Sequence, residues 1–212
     1  MSRCLLDYLD QDQRSLFINL NTPIKIQEFL DDIPYSDEDK NRSPLQVFCD
    51  RKAHCLDGGL FAAAALRQIG YPPVVVDMFP DPGRDDDHVL AIYKSEDHFG
   101  ALAKSNFVGL RFREPIYRSI RELVLSYFED FYNLDGEKTL RSYTVPYNLK
   151  VFDPLEWEWK ETRLGIIEQR LKDIHRFLVI TPRMAKNLNP IDPRSYKAGM
   201  MGVNEAGLYK PQ

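Results

Sequence analysis

The sequence lacks the features that would place it in a membrane or in a secretory pathway. No stretch approaches the roughly 20 consecutive apolar residues that a transmembrane helix requires. The N-terminal segment MSRCLLDYLDQDQ carries acidic residues where a secretory signal peptide would have an apolar run. We therefore expect a cytoplasmic protein that does not act on a membrane.

An excess of positive charge is also missing. The chain has 28 Lys and Arg residues against 32 Asp and Glu residues, which gives a formal net charge of −4. Binding to a polyanion generally requires a basic surface, because the phosphate backbone supplies most of the attraction. We therefore expect no nucleic-acid partner.

Cysteine is scarce, with three residues in 212: Cys4, Cys49 and Cys55. An odd number without close spacing argues against a disulfide framework and suits a reducing compartment. The C-x₂-C and H-x₃-H spacings of structural zinc sites are absent as well. We expect no metal and no cofactor, and the oligomeric state stays open.

The remaining composition is that of a single globular domain, because 43% of the residues are hydrophobic and can form a core. Helix-like segments come first, and the strand-like runs PVVVDMF, HVLAIYK and GALAKSNF follow in hairpin order. This order predicts an α+β fold in which a helix packs on an antiparallel sheet. We expect a domain over residues 1–181, with its core at about 43–152, and an extended C-terminal tail over 182–212. The period of the apolar residues also predicts an amphipathic helix from Ile116 to Phe131.

Cys55 stands directly before the apolar segment LDGGLFAAAALRQI, which predicts a buried helix. The free N–H groups of a helix start favour a thiolate and could hold an oxyanion. Gly58 and Gly59 weaken a helix, so their presence indicates a close approach by a strand or a substrate. The alternative is that Cys55 is a small buried core residue.

His88 is the histidine best placed to serve as a base, because it opens the strand HVLAIYK. A hairpin that turns within SEDHF places Asn106 opposite His88, where its carbonyl could orient the imidazole. A register shift of one residue would put Ser105 or Phe107 there instead. The acidic loop before the strand supplies three rivals for the orienting role, Asp85, Asp86 and Asp87. Of these, Asp86 would share the face of His88, and Asp87 would lie on the opposite face if the strand has begun there.

The segments AHCLDGGLFAAAALRQIGYPP and DDHVLAIYK resemble the transglutaminase-like superfamily of papain-fold cysteine enzymes, in a bacterial-type branch. The resemblance covers about residues 50–106 and implies a papain-like core with catalytic residues in the order Cys55, His88, Asn106. Ala53 replaces a glycine that is usual in the family, and Asn106 in the segment AKSNF replaces the usual Asp.

The resemblance implies a cysteine peptidase, an amidase or a transglutaminase-like acyltransferase that acts on a peptide or protein substrate. Cys55 would attack a carbonyl, His88 would move the proton and Asn106 would orient His88. An Asn cannot offset the charge of an imidazolium ion, so the alternative is a catalytically inactive binding module with the same fold. Hydrogen-bond reach between the Cys55 sulfur and a His88 nitrogen beside an open groove would favour the enzyme.

Overall fold

The structure, a computed structural model, describes residues 4–209. Its α-helices are α1 (Gln11–Ile18), α2 (Pro23–Asp32), α3 (Pro44–Asp50), α4 (Cys55–Gln68), α5 (Ile120–Leu125), α6 (Leu164–Asp173), α7 (Pro182–Ala185) and α8 (Pro193–Gly199). Its strands are β1 (Val74–Pro80), β2 (His88–Ser95), β3 (His98–Leu102), β4 (Arg113–Tyr117), β5 (Leu140–Thr144), β6 (Tyr147–Asn148) and β7 (Arg176–Leu178). Short 3₁₀ helices occur at Leu5–Tyr8, Val108–Leu110, Leu149–Leu155 and Glu205–Gly207.

The strands form one antiparallel sheet in the order β4-β3-β2-β1-β5-β7, and the short β6 also pairs with β1. Helix α4 packs on β2 and β1, while α2 and α3 pack on α4. The predicted α+β class, with a helix on an antiparallel sheet and additional helices around it, is confirmed. Within residues 4–209 no helix combines the length and the apolar content needed to cross a bilayer.

The starts of the early helices follow from local capping. The Thr22 side chain accepts a hydrogen bond from the backbone N–H of Lys25, and Pro23 occupies the first position of α2. At the start of α3, the Ser43 side chain accepts a hydrogen bond from the backbone N–H of Gln46, and Pro44 occupies the first position. Both starts therefore satisfy N–H groups that would otherwise lack partners.

The sheet separates two buried clusters, and the residues of β2 alternate between them. Val89 and Ala91 belong to the cluster that contains the buried face of α4. Leu90 and Ile92 belong to the second cluster, on the other side of the sheet, together with Leu123 of α5. We call these two sides the α4 face and the α5 face of the sheet.

The two glycines of α4 mark a close approach, as expected from the sequence. A Cβ at Gly58 would lie 2.1 Å from the Cβ of Lys104, and one at Gly59 would lie 2.6 Å from a Val89 methyl group. Lys104 follows β3 and Val89 lies on β2. The glycines therefore let the first turns of α4 come close to the sheet.

The predicted register of the β2–β3 hairpin is wrong by one residue. Ser95 pairs with His98 across a two-residue turn, and Ala91 pairs with Leu102, which is the last residue of β3. Glu96 and Asp97 both have positive φ, at 46° and 64°. Such a turn matches the twist of the two strands and sets the shorter connection.

The predicted helix over 116–131 is also wrong in its extent. Ile116 lies in β4, and the helix covers only Ile120–Leu125, with the Ser119 side chain capping its start. The 3.6-residue period continues beyond the helix because Tyr127 and Phe131, in the turns after α5, face the same core cluster as Leu123 of α5.

The segment after residue 181 folds onto the domain instead of running extended. It contains α7 and α8, and Tyr196 of α8 donates a hydrogen bond from its hydroxyl to the backbone oxygen of Leu134. Close packing occurs at Gly199, whose missing Cβ leaves room for the hydroxyl of Tyr132. The division of the chain at residue 181 stays a prediction.

Candidate functional site

Cys55 is the first residue of α4 and lies in a groove of about 460 Å³. The groove is bounded by the start of α4, the segment 35–39, the loop residues Asp86 and Asp87, and helix α6. Residues 206–208 of the C-terminal segment close one side of it. We call this space the Cys55 groove.

The Cys55 thiol donates to the backbone oxygen of Asp87, with a sulfur–oxygen distance of 3.6 Å. The hydroxyl of Tyr35 also interacts with the thiol and with the backbone of Cys55. Burial raises the pKa of the Cys55 thiol well above its ordinary value, and the negative charges of Asp87 and Asp77 raise it further. These effects outweigh the helix N-terminus, so the thiol is neutral at pH 7.

His88 lies on the α5 face of the sheet, away from α4. Along β2 it alternates with Val89, which packs against Gly59 of α4, and it shares its side with Leu90. Its Nε2 is 2.8 Å from the backbone oxygen of Leu110, a residue of the second cluster. No hydrogen bond within residues 4–209 joins His88 to Cys55.

The hydrogen bond to Leu110 also fixes the tautomer of His88. A carbonyl oxygen can only accept, so Nε2 carries the proton and Nδ1 is unprotonated. Burial lowers the pKa of His88 to about 4, which keeps the imidazole neutral at pH 7. The orienting group predicted at Asn106 is thus replaced by a backbone carbonyl.

Asn106 lies beyond the end of β3 and binds the C-terminal segment. Its side-chain oxygen accepts from the backbone N–H of Asn204 at 2.8 Å, and its side-chain nitrogen donates to the Asn204 oxygen at 2.9 Å. The expected position of Asn106 opposite His88 is therefore not found, because the hairpin register differs. Asn106 anchors the segment that closes the groove.

Asp86, a rival for the orienting role, is exposed and lines the Cys55 groove. Its backbone N–H donates to the carboxylate of Asp85. Within the described part of the chain, no hydrogen bond connects Asp86 to His88. Cys55 and Asp86 therefore line the Cys55 groove, and Asp86 also lines a second, small cavity together with His88 and Asn106.

Asp77 is a site residue that sequence reasoning did not select, and Asp87 was considered there only as a group that orients His88. Asp77 lies in β1, pairs with Val89 and has only 2% of its surface exposed. Its Oδ1 has no hydrogen-bond partner in residues 4–209, and the side chain lines the groove. The signal in the sequence was one acid inside the apolar run VVVDMF.

The inner carboxyl groups influence one another. Burial and the negative charge of Asp87 raise the pKa of Asp77 well above its ordinary value. Burial raises the pKa of Asp87 to about 6, against the opposing effect of the Lys172 ammonium. Both carboxyl groups therefore keep their protons to a higher pH than a free aspartic acid does.

Comparison with known proteins gave matches among solved structures only. No protein-family model matches the chain, and no curated protein matches it. LapG from Legionella pneumophila is 13% identical, with 79% of this chain and 93% of that chain covered and a TM-score of 0.42. EGTA-treated LapG is 12% identical, with 81% and 94% covered and a TM-score of 0.40. A likeness this distant carries no inference about the chemistry of the groove.

Proposed function

We propose that the protein is a binding module that takes a ligand in the Cys55 groove and does not use a Cys55–His88 ion pair. The observation that carries this proposal is the placement of His88 on the α5 face of the sheet. A thiolate–imidazolium pair requires the two side chains to be within hydrogen-bond reach. Here the sheet separates them.

The protonation states of the two groups support the same function. The pKa of the Cys55 thiol is raised and the pKa of His88 is lowered to about 4. A thiolate–imidazolium pair would shift both values in the opposite directions. At neutral pH the groove therefore presents a neutral thiol beside carboxyl groups.

The test is the pH dependence of Cys55 alkylation by iodoacetamide, in a Cys4→Ser, Cys49→Ser background that leaves one thiol. We expect an alkylation midpoint above that of a free cysteine and no change on His88→Asn. Circular dichroism verifies that the variant folds. A thiol that reacts rapidly below pH 7, and loses this reactivity in His88→Asn, would overturn the proposal.

A second candidate function is cysteine-dependent acyl transfer on a peptide or carboxamide. It is favoured by the position of Cys55 at the helix start beside Asp87, whose pKa of about 6 suits a proton acceptor. The thiol proton would pass to the Asp87 carboxylate as sulfur bonds to the carbonyl carbon. Asp87 would return the proton to the leaving amine, and water or another amine would release the acyl group.

Mass spectrometry of the intact protein distinguishes this candidate from the binding module. Incubation with peptides or with an activity-based thiol probe should give no Cys55 adduct if the groove only binds. A covalent adduct that accumulates in the native chain, and is absent in Cys55→Ala, would establish the enzyme. The same adduct in Asp87→Asn would exclude Asp87 as the base.

A further inference from the structure

We infer that the Cys55 groove recognises a cationic side chain of a peptide, a lysine ammonium or an arginine guanidinium, which Asp77 and Asp87 bind. This inference rests on the proposed binding function and adds the class of ligand. The groove combines a buried acid that lacks a hydrogen-bond partner in residues 4–209 with apolar surface beside it.

The buried acid is Asp77. Its backbone N–H donates to the Thr144 hydroxyl at 3.0 Å, but its side-chain Oδ1 has no partner in the described part of the chain. A carboxylate that is 98% removed from solvent ordinarily has hydrogen-bond donors, because its desolvation is costly. The free oxygen of Asp77 at the wall of a groove is a position where a ligand donor fits.

The charged residues around the groove give the two inner acids no ion-pair partner in the described part of the chain. Lys172 is the one Lys or Arg among the described lining residues, and its ammonium is 2.6 Å from Glu168. At the rim, Lys52 forms ion pairs with Asp37 and Glu38, and Arg42 forms another with Glu38. Neither of these lysines forms an ion pair with the two inner acids.

Asp77 and Asp87 therefore have no cation of their own in residues 4–209, and the charge of Asp87 opposes the ionisation of Asp77. The nearest positive charges that act on both are those of Lys172 and Arg176, and they only partly offset the repulsion. An incoming ammonium or guanidinium would gain charge-assisted hydrogen bonds and relieve the repulsion. The gain is large because Asp77 is already desolvated.

The lining beside the acids suits the aliphatic stem of such a side chain. Leu56, Val89 and Leu171 contribute apolar surface to the same groove, as does the ring of Tyr35. Lysine and arginine bury their methylene groups along apolar surface while the charged end reaches a polar partner. A bare metal ion would not use this surface.

The arrangement of donors also favours an organic cation over a metal. Within residues 4–209 no group of three or more His, Cys, Asp and Glu side chains is placed to hold a metal ion. Calcium in particular takes six to eight oxygen ligands. Two inner carboxylates at an open groove match a single ammonium or guanidinium better.

The experiment is an NMR titration of the full chain at pH 7.5 with capped pentapeptides Gly-Gly-X-Gly-Gly. X is arginine, lysine, norleucine or glutamate. Norleucine has the length of the lysine stem without the charge. We expect the Arg or Lys peptide to shift the backbone amide signals of Cys55 and Asp87, and the norleucine and glutamate peptides to leave them unchanged.

Variants locate the binding. Asp77→Asn and Asp87→Asn keep the side-chain shape, remove the charge and should each weaken binding at least about tenfold. Asp97→Asn is the matched control, because it removes the same charge at the exposed hairpin turn and should bind like the native chain. If Asp77→Asn does not fold, the affinity of Asp87→Asn and the comparison of the lysine and norleucine peptides still test whether the groove binds a cationic side chain.

Equal shifts with norleucine, or shifts only with glutamate, would overturn the cationic ligand while leaving a binding groove. Shifts produced by Ca²⁺ and not by any peptide would overturn it in favour of a metal. No shift with any peptide would also overturn it. Failure of the proposed binding function would appear separately, as a Cys55 thiol that reacts rapidly below pH 7 in the alkylation test.

Discussion

The two faces of the sheet place neighbouring residues of the chain in opposite environments. On the α4 face, Asp87 lines an open groove beside Cys55 and keeps a raised pKa. On the α5 face, the next residue, His88, is buried and bonded to the backbone oxygen of Leu110, and its lowered pKa keeps the imidazole neutral at pH 7. A sequence motif that contains a Cys and a His therefore assembles a catalytic pair only when both side chains emerge on one face.

The comparison predicts opposite pH effects on stability. For His88 the folded pKa of about 4 lies below the unfolded value of 6.5, so the unfolded state binds more protons between these values. Its contribution is present above pH 6.5 and is lost as the pH falls towards 4. We expect a loss of about 2–3 kcal/mol, since each pKa unit corresponds to about 1.4 kcal/mol.

Urea denaturation between pH 4 and pH 7 measures this loss. His88→Asn should flatten the acid side of the profile, because the variant has no proton to gain. If the free energy of unfolding of His88→Asn falls between pH 7 and pH 4 as steeply as that of the native chain, His88 is not buried as a neutral imidazole.

The groove acids should act in the opposite direction. The folded pKa of Asp87, about 6, is above the ordinary value of 3.8, so the folded state binds more protons and stability falls as the pH rises through this window. Asp87→Asn should remove this fall, which we expect to be about 1–3 kcal/mol. Urea denaturation at pH 4 and pH 7.5 measures the difference, and a profile unaffected by Asp87→Asn would contradict the account.

The close approach of α4 to the sheet is tested by Gly58→Ala. The new Cβ would lie 2.1 Å from the Cβ of Lys104, and overpacking of this kind costs about 1–3 kcal/mol. Gly165→Ala in α6 is the matched control, because nothing lies within 4 Å of its added Cβ. The control should raise helix stability by about 0.5–1 kcal/mol. Thermal unfolding of both variants decides, and an equal gain in both would contradict the packing of α4 on the sheet.

The smallest effect is expected at Asn106. Asn106→Ala removes two hydrogen bonds to Asn204, each with a net contribution of about 1 kcal/mol. Because this segment closes one side of the groove, the variant should increase amide hydrogen exchange around residue 204 and make Cys55 easier to alkylate. Asn187→Ala, whose side chain donates to Arg183 within the C-terminal segment, is the control and should not affect Cys55. Unchanged exchange in Asn106→Ala would show that Asn106 does not anchor the segment.

Much of the fold followed from local signals in the sequence. Cys55 at the start of a buried helix, the close approach at Gly58 and Gly59, and the hairpin order of β1 to β3 were all predicted and confirmed. Periodicity and capping depend on residues that are close neighbours in the chain. Paired glycines within a helix indicate from the sequence alone that another element comes close.

The arrangement of the candidate site could not be predicted in the same way. Asn106 was placed by assuming a longer hairpin turn, and the positive φ values of Glu96 and Asp97 shorten it by one residue. A shift of one residue changes the partner and the face of every side chain after it. Asn204 lies 98 residues from Asn106 in the chain, so no local pattern connects the two.

The most direct test of the separation between the two faces compares Asp87→Asn with His88→Asn in the alkylation of Cys55. The Asp87 variant should lower the pKa of the thiol, because it removes the nearest negative charge. The His88 variant should leave that pKa unchanged. A thiol pKa that rises in His88→Asn and is indifferent to Asp87→Asn would show that Cys55 pairs with His88, and would contradict the account.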